Sequence, residues 1–172
     1  MTGTQSTTIL GIGVPSADPL FLSVVALHVL AGLACVVFGL AAILITKGRG
    51  RHSAMGTIYF WCMGVVFLTM TFLAFVRWAQ DYLLFLLGAL AFALAISGRH
   101  AARHGHRLRI HAACMGTSYI VLLTAFYVDN GKNLPLWRDL PTLAYWTVPA
   151  LIGVPLIYCA LLRHPLLRSP NA

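Results

Sequence analysis

The stretch "LFLSVVALHVLAGLACVVFGLAAILIT", residues 20–46, carries no charged side chain. It is longer than the about twenty apolar residues that a helix needs to cross a bilayer core. Four further runs read the same way: Ala54–Trp78, Tyr82–Ser97, Ile110–Val128 and Leu143–Leu162, the third being the shortest. They are continuous rather than alternating, which predicts helices and not a β-barrel. The expected fold is an all-α membrane protein, a single bundle of about five transmembrane helices over residues 20–162. An extracytoplasmic segment, 1–19, precedes it and a cytoplasmic tail, 163–172, follows. Residues 1–19 lack a basic region before the first apolar run, so no cleaved signal peptide is expected.

Composition leads to the same class. Of 172 residues, 59% are hydrophobic and 9% charged, whereas soluble domains are about half apolar and a quarter charged. The net charge of +8 would suggest nucleic acid if the basic residues formed one folded patch. They lie instead in short loops between apolar runs, where they set topology and face anionic lipid headgroups. Cys35, Cys62, Cys114 and Cys159 are scattered singly and read as small buried hydrophobes.

Orientation follows from Lys and Arg. Lys47, Arg49, Arg51, Arg99, Arg103, Arg107, Arg109, Arg163 and Arg168 fall on one side with no acid among them. On the other side are Asp18, the Arg77/Asp81 pair, and Asp129, Lys132, Arg138 and Asp139. The N-terminus is expected outside and the C-terminus in the cytoplasm of a bacterial inner membrane. Trp78, Trp137 and Trp146 fall at the expected outer interface, and "NLPLWRDLP" (133–141) reads as a short surface helix.

One phrase occurs twice. "HSAMGTIY" (52–59) and "HAACMGTSY" (111–119) each give a histidine, small residues, Met-Gly-Thr, one variable position and a tyrosine. Each follows a basic turn and opens an apolar run. The unit is a descending helix, a basic turn, a histidine and an ascending helix, which predicts a parallel two-helix repeat. Such a repeat brings His52 and His111 to face one another at the cytoplasmic end, with Tyr59 and Tyr119 beside them as supporting contacts. His28 shares a face with Gly32, Cys35 and Gly39, and those two glycines are expected to admit a neighbouring helix closely. A histidine inside the bilayer needs a partner.

These residues suggest a cofactor. His28 and His111 lie roughly 20 Å apart in depth at ~1.5 Å rise per residue, too far to share one iron. His52 and His111 can ligate one haem b or one divalent metal ion; Met70 matches His28 in depth. The plainer alternatives are a headgroup or loop-carbonyl bond for His52 and His111, and a neighbouring hydroxyl or carbonyl for His28. In the loop after the third span, His100, His104 and His106 have chelating spacing. The arginines Arg99, Arg103, Arg107 and Arg109 around them favour an anionic contact such as lipid phosphate. No carboxylate lies inside a span, which disfavours a small permease. No hydrolase or nucleotide-binding motif is present. Pro149, Gly153 and Pro155 are expected to kink or break the fifth helix.

Four phrases, "LHVLAGLACVVFGLAAIL" (27–44), "GRGRHSAMGTIYF" (48–60), "RIHAACMGTSYIVLLTAF" (109–126) and "WTVPALIGVPLI" (146–157), resemble a family of bacterial membrane proteins, the domain of unknown function 2306. The resemblance implies a multi-span inner-membrane architecture and no particular activity. The leading functional reading is a small membrane protein whose His28, His52 and His111 serve a haem or metal site for redox or cofactor handling. The alternative is a non-catalytic accessory subunit or assembly factor of a larger membrane complex.

Overall fold

The computed structural model of the chain describes residues 7–9, 12–14, 19–46, 50–104 and 107–163. Lys47, Arg49, His106, Asp18 and Arg168 lie outside the described residues. A short antiparallel pair, β1 (Thr7–Ile9) and β2 (Ile12–Val14), sits in the N-terminal segment, with Thr7 opposite Val14. Five helices follow: α1 (Pro19–Leu44), α2 (Arg51–Val76), α3 (Trp78–His104), α4 (Leu108–Asn130) and α5 (Thr142–Arg163). All five are long and apolar enough to cross a membrane.

Three details correct the expectations drawn from sequence. The third helix is not the shortest; at 27 residues it is the longest of the five. Hydropathy clipped it, because Asp81 at one end and Arg99, His100, Arg103 and His104 at the other are polar. Backbone hydrogen bonding continues through such residues, and alanines 101 and 102 favour the helix. The stretch 133–141 is not a helix. A 3-10 turn at Gly131–Asn133 leads into successive turns, with Trp137 and Arg138 donating their N–H groups to the Leu134 carbonyl. Two prolines in nine residues remove the donors that a helix there would need. Finally, α5 continues as one helix through Pro149 and Pro155, so the break, one of the two expected outcomes, does not occur.

Helices α1 to α4 share one core. Ala31 and Cys35 from α1, Tyr59, Met63 and Val66 from α2, Ala91 and Ala95 from α3, and Leu122 from α4 form its buried cluster. A second cluster, Phe21 with Met70, Leu73 and Ala74, closes α1 on α2 at the other end. Large apolar side chains such as Leu30, Leu44, Leu68 and Phe75 are exposed on the outer faces, as expected where lipid is the solvent. Helix α5 seats Ile157 on Gly116 of α4, and Ile120 of α4 seats in turn on its Gly153.

Small residues decide where helices approach. A Cβ on Gly39 would lie 2.5 Å from the Tyr119 ring and 3.1 Å from the Tyr59 ring. One on Gly98 would lie 2.9 Å from Met115. Gly32 shares the Gly39 helix but meets nothing within 4 Å, so only one of the two expected glycine seats is used. The contrast is testable by thermal unfolding in micelles. Gly39→Ala should destabilise by about 1–3 kcal/mol through overpacking. Gly32→Ala should be neutral, or stabilising by about 0.5–1 kcal/mol, because it only removes helix-interior glycine.

Candidate functional site

The two copies of the repeated phrase begin α2 and α4, and both start at the same end of the bundle. There the His52 and His111 rings approach to a centroid separation of 6.3 Å, nearly perpendicular at 85°. Each is anchored to the helix that precedes it in the chain. His52 donates from Nδ1 to the Ala42 carbonyl in the last turn of α1, at 2.9 Å. His111 donates from Nδ1 to the Gly98 carbonyl of α3, also at 2.9 Å. The absent side chain at Gly98 makes the second bond possible, because Met115 and Cys114 sit against it and draw α4 onto α3.

A carbonyl oxygen only accepts, so the proton is assigned to Nδ1 in both rings. In the neutral imidazole the lone pair then belongs to Nε2. Carbonyl-anchored Nδ1–H is the arrangement that fixes the tautomer and ring direction of metal-binding histidines.

Below the histidines the tyrosines of the phrase cross between helices. Tyr119 donates to the Val36 carbonyl of α1 at 3.0 Å. Tyr59 meets the Ser118 hydroxyl at 2.8 Å, and Ser118 donates to the Ala91 carbonyl of α3 at 2.8 Å. The serine proton is thereby committed, and Tyr59 is the donor to Ser118. The two tyrosine rings lie 6.2 Å apart, both against Gly39. Tyr59 and Ser118 are fully buried, at 2% and 0% exposure, so each hydroxyl needs the partner it has.

His28 is not part of this group. Its Nδ1 lies 2.9 Å from the Thr69 hydroxyl of α2. Thr69 donates to the Val65 and Val66 carbonyls, leaving His28 as the donor. This is the plainer of the two readings of His28, a histidine satisfied by a neighbouring hydroxyl. Met70 turns instead into the cluster with Phe21.

The arginines divide. Arg99 lies over the Phe60 ring, 4.6 Å from its centroid, and reaches the Thr57 hydroxyl at 3.4 Å; it is committed to α2. Arg103, Arg107 and Arg109 are exposed. His100 and His104 belong to the end of α3 rather than to a loop, with rings stacked at 4.4 Å. Sequence reasoning passed over Ser118 and Thr69. Ser118 occupies the variable position of the phrase, where the first copy has Ile58; a hydroxyl beside a tyrosine inside a span was its signal.

Residues 25–160 match the family model described as a predicted membrane protein, DUF2306. The chain belongs to this family. No curated protein and no solved structure matches it. The DUF2306 match runs from α1 into α5 and takes in His28, His52, Tyr59, His111 and Tyr119.

The hydroxyl chain can be weighed by a double-mutant cycle on Tyr59→Phe and Ser118→Ala. Hydrogen bonds inside membrane bundles couple by about 0.6 kcal/mol on average and up to about 1.7. The fully buried Tyr59–Ser118 pair should fall in the upper half of that range. Tyr119→Phe, which removes a half-buried bond, should lie nearer the mean.

Proposed function

We propose that this membrane protein binds haem b between His52 and His111 and uses it as a one-electron carrier at one face of the bilayer. The observation that supports this most is the His52–His111 pair: two imidazoles on separate helices, 6.3 Å apart, each fixed through Nδ1. Two imidazoles that share one metal bring their ring centres within roughly 6–7 Å, so His52 and His111 are close enough that both would hold one iron.

The number of ligands favours haem over a bare ion. No group of three or more His, Cys, Asp or Glu suited to a metal occurs among the described residues. Structural zinc requires four ligands, whereas haem iron has four porphyrin nitrogens of its own and asks the protein for two. The propionates are carboxylates, and the basic end supplies exposed Arg51, Arg107 and Arg109 beside the two histidines. Held by two imidazoles of the protein, the group would supply electron transfer rather than oxygen activation. By the distribution of Lys and Arg, this end faces the cytoplasm of a bacterial inner membrane, where the same arginines meet anionic headgroups.

A second reading, an accessory subunit or assembly factor of a larger membrane complex, rests on Gly32 and Gly56. Among the described residues, a side chain at either would meet no atom of another helix within 4 Å, which leaves room for a partner's helix.

The test is the absorption spectrum, oxidised and reduced, of gently purified protein with iron analysis on the same sample. A Soret band with stoichiometric iron is expected, and His52→Ala or His111→Ala should reduce haem occupancy at least tenfold. A colourless protein that co-purifies with a larger complex would favour the accessory reading. A colourless protein carrying stoichiometric zinc or copper would replace haem by a bare ion.

A further inference from the structure

We infer that His100 and His104 form a separate, surface-exposed chelate for a late first-row divalent ion such as Cu²⁺, at the C-terminal end of α3. The site shares no residue with the proposed haem ligands and stands or falls independently of them.

The sequence alone disfavours a cation here, because it places the histidines in a loop among arginines. The structure changes both premises. Helix α3 continues to His104, so the two histidines are four residues apart on one helix. That spacing places both side chains on the same face, and it is the spacing by which a single helix presents two histidines to zinc. Their ring centroids are 4.4 Å apart with planes 20° from parallel. Two imidazoles at right angles on one metal have ring centres roughly 4.5 Å apart. The distance is thus already that of a cis pair, and both side chains are exposed and can turn about χ2 to aim a nitrogen at the ion.

The charges are less hostile than they look in sequence. Arg99 is drawn toward α2, over Phe60 and onto Thr57. Arg103 and Arg107 are exposed, so their long side chains can carry the charged heads into solvent, away from the two rings. The last carbonyls of α3 carry the negative end of the helix dipole and favour a cation in this turn. Imidazole nitrogen suits copper, nickel and zinc, and copper binds most tightly in that series. Water completes the coordination, as expected at an exposed site with two protein ligands.

The experiment is a Cu²⁺ titration of the full-length, tag-free protein in micelles, followed by calorimetry and electron paramagnetic resonance. The native chain should bind an equivalent at this site with a signal showing two nitrogen donors. His100→Ala and His104→Ala alter exposed positions and leave the packing intact. Each should weaken that equivalent about 10²-fold, because the second imidazole acts at high effective concentration. Undiminished binding in His100→Ala or His104→Ala would overturn the assignment.

Discussion

A polar side chain inside a bilayer has no water to turn to, so it must find its hydrogen-bond partner within the protein. In this bundle that constraint falls on a few residues, and their bonds join the helices. His52 fastens α2 to α1, His111 fastens α4 to α3, and His28 fastens α1 to α2 through Thr69. Tyr119 then ties α4 to α1, while Ser118, with Tyr59 bound to it, ties α4 to α3. Apolar packing alone leaves helices free to slide in lipid, because the tails are as apolar as the core. These directional bonds set depth and rotation. Gly39 and Gly98 give them the close approach they need.

The repeated phrase performs two tasks in two surroundings. In both copies the histidine reaches back to the preceding helix and the tyrosine reaches inward to the core. The residues between them differ in use. Gly116 receives Ile157 from α5, whereas Gly56, its counterpart, meets nothing within 4 Å. The fifth helix therefore belongs to the second helix pair only, and the core of four helices is complete without it.

Much of the architecture is legible in sequence because a membrane helix announces itself by an unbroken apolar run. The ends are not, since hydropathy falls where a helix enters the headgroups while its hydrogen bonds continue; α3 shows this at His100 and His104. That His52 and His111 come together is the expectation raised by a phrase written twice with two helices between its copies, and the two rings do meet. Their anchors could not be read, because Ala42, Gly98 and Val36 contribute backbone carbonyls that no side chain marks. Ser118 was hidden for a different reason. It stands where the other copy has Ile58, and comparing the copies emphasises what they share rather than the hydroxyl that only one possesses.

Each repeat histidine gives its Nδ1 proton to a backbone carbonyl, and that bond fixes its tautomer and ring direction. The most direct measurement is ¹⁵N magnetic resonance of the imidazole nitrogens of His52 and His111 in metal-free protein at neutral pH, assigned with single-histidine variants. Protonated Nδ1 and unprotonated Nε2 are expected at both positions. An Nε2–H tautomer, or an imidazolium, at either histidine would contradict it.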